Sequence, residues 1–80
     1  MLVDLDEPVS VGAVFSRGLM RPVWFSRGKR QVRINEVAFT WKTREGDTCI
    51  HHFSVTDGSG VYQLKFNTAS FVWRIVNADG

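Results

Sequence analysis

The chain has 80 residues, enough for one small domain, with a net charge of +2 and a single cysteine. Leu, Ile, Val and Phe supply 24 of them, too many for a disordered tail, and the lone cysteine excludes a disulfide framework or a cysteine-based structural zinc site within one chain. Eleven of the 24 are Val and only four are Leu, with five Thr and three Trp beside them, an inventory that favours strands over helical bundles and coiled coils.

Met1 to Glu7 contains Asp4, Asp6 and Glu7 and no base, which is not the charge pattern of a signal peptide. Residues 1–8 are therefore expected to form an acidic N-terminal tail ahead of a single domain over 9–77. No apolar run approaches the roughly 18 residues that a membrane-spanning helix requires, and the chain is expected to be cytoplasmic.

Turn signals recur along the rest of the chain at Arg17-Gly18, Arg27-Gly28, Glu45-Gly46-Asp47, Asp57-Gly58-Ser59-Gly60 and Asn67-Thr68-Ala69-Ser70, the spacing of an all-β sandwich or barrel. They separate six predicted strands, over 9–16, 20–26, 30–41, 48–56, 60–67 and 70–77. In the first, Val9, Val11, Ala13 and Phe15 alternate with Ser10, Gly12, Val14 and Ser16. Pro22 places the second at an edge or a strand start, because it cannot donate to a ladder. The third changes phase: Val32 and Ile34 lie on even positions, Val37, Phe39 and Trp41 on odd ones. A bulge or bend near Asn35-Glu36 must absorb one residue. In the fourth, Cys49, His51, Phe53 and Val55 share a face. The fifth alternates most clearly, Tyr62, Leu64 and Phe66 against Gln63, Lys65 and Asn67. The last puts Phe71, Trp73 and Ile75 on its heavier face.

This pattern predicts an all-β, six-stranded antiparallel barrel or roll, SH3-like, with a core of Val11, Phe15, Phe25, Val37, Phe39, Phe53, Val55, Tyr62, Leu64, Phe66, Phe71, Trp73 and Ile75. Such a core is modest, so dimerisation through a strand edge is expected.

Catalytic chemistry finds little purchase. Cys49, His51 and His52 are the only cluster of metal-ligand types, and Cys49 and His51 alone cannot close a zinc site. No Ser or Cys sits in a strand–turn–helix elbow, and no Gly-rich loop precedes a helix. The chain reads as a non-enzymatic module without metal, cofactor or evident small-molecule substrate.

Charge is the more informative signal. Residues 17–44 carry eight bases against Glu36 alone, and they interleave with aromatics as Arg21, Trp24, Phe25, Arg27, Lys29, Arg30 and Arg33. Trp24 and Phe25 are adjacent on a strand, so one of them faces away from the core. A protein-interaction or oligomerisation module, its partner another protein or a second copy, is the leading reading, because small barrels bind other proteins at least as often as nucleic acid. The alternative is weak, sequence-nonspecific binding of single-stranded nucleic acid through Arg21, Arg27, Lys29, Arg30 and Arg33, with Trp24 stacking on a base.

The run Pro22-Val23-Trp24-Phe25, then Gly28-Lys29-Arg30, Glu36-Val37, Trp41, Val61-Tyr62-Gln63-Leu64 and Trp73 resembles an uncharacterised bacterial family of short all-β proteins. The resemblance covers residues 22–75. It departs at Gln31, where that family often has an aromatic. Some members of the family lie near translesion DNA polymerase genes, so the resemblance implies a DNA-transaction setting and assigns no catalytic residue.

Overall fold

The computed structural model describes residues 2–79. Seven antiparallel strands, β1 (Leu2–Ser16), β2 (Leu19–Arg27), β3 (Arg30–Arg33), β4 (Glu36–Glu45), β5 (Thr48–Thr56), β6 (Val61–Asn67) and β7 (Val72–Asp79), form one sheet in the order β3-β2-β1-β7-β6-β5-β4. The all-β antiparallel class expected from the alternation is present. Six strands and a barrel are not: there are seven, and the sheet is not closed. The predicted strand over 30–41 is divided at Ile34-Asn35, and a second irregularity follows between Val37 and Phe39.

Residues 2–8, expected as a tail, belong to β1. This strand is long because it serves two neighbours in turn. Leu2 to Val9 pair with β7, and Ser10 to Ser16 pair with β2. Asp6 and Glu7 are held there by cross-strand bases, Asp6 by Arg74 at 2.7 Å and Glu7 by Arg27 at 2.8 Å. An acidic segment thus becomes a strand because its neighbours supply the opposite charge and its backbone completes a ladder.

One face of the sheet curls around a core of Phe25, Val32, Phe53, Val55, Leu64, Phe66 and Ile75, with Leu5, Val9, Val11, Met20, Ile34, Val37, Tyr62 and Trp73 packed against it. Edge-to-face and tilted ring pairs consolidate it: Phe25 with Tyr62 at 5.1 Å, Phe66 with Trp73 at 4.8 Å and Phe53 with Trp73 at 5.4 Å between centroids.

Three predicted core residues are exposed, and each has a local cause. Phe39 is 71% exposed. Val37 pairs with Val55, but the bulge at Ala38 makes Phe39 pair with Ser54 and Thr40 with Phe53, so the residues after the bulge change face. Phe15 is 73% exposed because β7 accompanies β1 only as far as Val9, leaving the β1–β2 hairpin to overhang. Phe71 has φ 58° and belongs to the β6–β7 turn rather than to β7. Conversely, Ile50 is 2% exposed, although the period of β5 puts it on the face opposite Phe53.

β3 and β4 are consecutive in the chain yet lie at opposite edges of the sheet. The two residues between them therefore carry the chain across the gap. Ile34 donates its backbone N–H to Val23 O (3.0 Å) in β2, and Asn35 donates to Thr56 O (2.8 Å) in β5. The sheet is a roll drawn together at this crossing and splayed at the other end.

Candidate interaction site

The basic block is divided between the two ends of β2. At the crossing end, Arg27, Lys29 and Arg30 occupy the β2–β3 hairpin, with Arg33 opposite Trp24 in the ladder. Arg27 is committed to Glu7. Next to this hairpin lies the turn Asp57–Gly60. Asp57 Oδ1 accepts the backbone N–H groups of Ser59 (2.9 Å) and Gly60 (2.7 Å), and Oδ2 accepts the Tyr62 hydroxyl (3.0 Å). These donors, the two backbone amides first, hold the Asp57 carboxyl at about 2. Burial, followed by the hydrogen bond to Asp57, moves the Tyr62 hydroxyl above its usual range.

Trp24 is half-buried and pairs with Gly12 across the β1–β2 ladder. A Cβ at Gly12 would collide with the indole, so the ring lies flat over the glycine backbone. One face of the aromatic expected to receive a base is thereby covered. Glycine is required at residue 12 by this close approach, a feature visible in the sequence only as a small residue interrupting the alternation.

Arg21 stands apart from the other five predicted site residues. It lies near the splayed end, where the β1–β2 hairpin turns through Arg17 (φ 53°) and Gly18 (φ 77°), the backbone of a tight two-residue hairpin loop. A cleft of about 560 Å³ opens here between that hairpin and β4–β5. Val14, Leu19, Met20, Val37 and Phe53 give it apolar walls, and Arg17, Arg21, Lys42 and His51 give it nitrogen cations or a titratable imidazole, with no acid in the lining. No ion pair joins Arg17, Arg21 or Lys42 to another described residue. Lys42 and His51 face each other in the β4–β5 ladder. Sequence reasoning placed Arg17 and Lys42 in the basic block but had no means of bringing them together, since 24 positions separate them in the chain.

The opposite face of the sheet carries a row across four strands: Trp41, His52, Lys65 and Arg74 are successive cross-strand partners. Trp41 stacks on His52 with centroids 5.1 Å apart and planes 3° from parallel, and His52 Nε2 is 2.7 Å from Thr43 Oγ1. Burial depresses the His52 pKa, with a further contribution from Lys65. Cys49, which with His51 and His52 is the one cluster of metal-ligand types in the sequence, has its backbone carbonyl taken by Thr68. Among the described residues no group of three or more metal-ligating side chains is found, and no helix is long and apolar enough to cross a membrane.

No protein-family model, curated protein or solved structure matches the chain.

Proposed function

We propose that the chain is a non-enzymatic protein-interaction module that engages another protein, or a second copy of itself, through its open strand edges. The observation that carries this reading is β4. It is a ten-residue edge strand paired on one side only, and it exposes Phe39 (71%) and Trp41 (39%). An edge of that length presents unpaired backbone groups to any extended segment, and its exposed rings supply the apolar contact. Its bulge and Lys42 are features that restrain indiscriminate pairing.

Sedimentation velocity over a rising protein concentration tests the self-pairing form of this reading. Association that tolerates added salt and weakens tenfold or more in Phe39→Glu supports it. A monomer at every concentration that captures a labelled single-stranded oligonucleotide at low salt overturns it. The nucleic-acid reading draws its support from Lys29, Arg30 and Arg33, which are exposed and form no ion pair with another described residue, and from the DNA-transaction setting that the family resemblance implies. On that reading each phosphate contact contributes about −0.7 to the log–log salt slope. Trp24 contributes less than an open stacking platform would, since Gly12 occupies one face of its ring.

A further inference from the structure

We infer that the cleft at the splayed end is a slot for one added strand, and that its occupant is an extended acidic peptide segment of a partner protein. The inference rests on the interaction-module reading and names the site and the chemistry of the partner.

Two unpaired edges face the same space. β3 pairs with β2 only from Trp24 to Arg27, so Leu19 to Arg21 have a strand neighbour in β1 alone. β4 has a strand neighbour in β5 alone. The two edges are drawn together at one point, where Ile34 and Asn35 cross between them, and both contribute to the lining of the cleft, Leu19, Met20 and Arg21 from β2 and Val37, Thr40 and Lys42 from β4. The sheet is therefore open over this part, with an unpaired edge on each side of the gap. An extended backbone laid into the gap meets N–H and C=O groups on both sides, which a phosphodiester backbone cannot match with alternating donors and acceptors.

Side-chain chemistry selects the segment. Alternate residues of an added strand face opposite ways. One set meets the apolar face of Met20, Val37 and Phe53, on which Lys42 lies beside His51, and the other faces outward beside Arg21, with Arg17 at the hairpin turn. Those three cations have no acidic partner among the described residues, and the lining has no acid. A segment alternating small apolar residues with Asp or Glu satisfies both demands, and a basic segment is repelled.

The test uses the full chain and a fluorescein-labelled peptide of about eight residues alternating glutamate with valine. Fluorescence anisotropy should show saturable binding, and Arg21→Glu or Lys42→Glu, both at exposed positions, should weaken it about tenfold each. A lysine–valine peptide should bind the doubly reversed chain better than the native one. Backbone amides of Leu19 to Arg21 and Thr40 to Lys42 should gain hydrogen-exchange protection. Equal binding by the same peptide with alternate backbone nitrogens methylated overturns the strand-addition mode, because charge survives in it and backbone pairing does not. Absence of saturable binding overturns the inference, as does displacement of the peptide by a single-stranded oligonucleotide at lower concentration. The interaction-module reading is judged separately, since Phe39→Glu still alters self-association in the absence of any peptide if that reading holds.

Discussion

The two ends of the roll use the same kinds of residue in opposite ways. At the crossing end, several polar and charged groups are consumed by structure, while Lys29, Arg30 and Arg33 stay exposed: Arg27 holds Glu7, Asp57 closes its own turn and caps onto Tyr62, and Ile34 and Asn35 anchor the strand crossing through backbone bonds. At the splayed end, Arg17, Arg21 and Lys42 have no ion-pair partner among the described residues, Phe15 and Leu19 are over 70% exposed, and two strand edges stop short of each other. The first end determines the fold. The second spends little on stability and keeps its recognition groups available, as expected of a binding region supported by a rigid scaffold.

The sharpest way to break this comparison is by truncating side chains in the core and at the splayed end. Leu64→Ala and Ile75→Ala, each removing a completely buried side chain, should cost roughly 2–5 kcal/mol, enough to unfold much of a domain this small. Phe15→Ala and Phe71→Ala should change stability by no more than about 0.5 kcal/mol. Urea titrations read both pairs. A large loss at Phe15 would mean that the splayed end belongs to the core.

A second effect, smaller, concerns the strand that joins the two ends. Gly12→Ala should destabilise the chain by about 1–3 kcal/mol, because the indole of Trp24 must move off its bed. Trp24→Val should relieve most of that loss in the double variant, and thermal melts of the four proteins measure the coupling.

At the crossing end, Asp57→Ala should cost about 1–2 kcal/mol at neutral pH, since two backbone amides and a tyrosine hydroxyl lose an ionised acceptor. The Asp57 carboxyl is held at about 2, below its ordinary 3.8. Its contribution is therefore present in full above about pH 4 and disappears as pH falls towards 2. The melting-temperature gap between the native chain and Asp57→Asn should close over that interval. A gap unchanged down to pH 2 would show that the carboxylate is not the acceptor that matters.

The smallest effect is at His52. Its depressed pKa means that the unfolded chain takes up the proton first, so stability should decline as pH falls below about 6.5. His52→Gln should flatten that decline relative to the native chain in melts between pH 7.5 and 5.5, approximate limits set by the imidazole range.

Much of the fold was legible because strand periodicity is a local property. Tyr62, Leu64 and Phe66 alternate with polar residues, and the structure buries Leu64 and Phe66 and packs Tyr62 beside them. The phase change between Ile34 and Val37 announced a break, and the chain does cross between sheet edges there. What local pattern could not supply was the number of residues absorbed at each irregularity. Phe39 continues the odd phase begun at Val37, yet the extra residue at Ala38 puts it outside.

Composition and alternation alone determined that this chain is an antiparallel all-β domain, because side-chain period and turn chemistry act over a few residues. Only the tertiary structure decided that Leu2 to Pro8 form a strand, that Trp24 rests on Gly12, and that Arg21 leaves the other predicted bases to join Arg17 and Lys42. The reason is the same in each case. Strand order brings together residues far apart in the chain, and neither period nor charge count encodes which edges remain unpaired once the sheet has rolled.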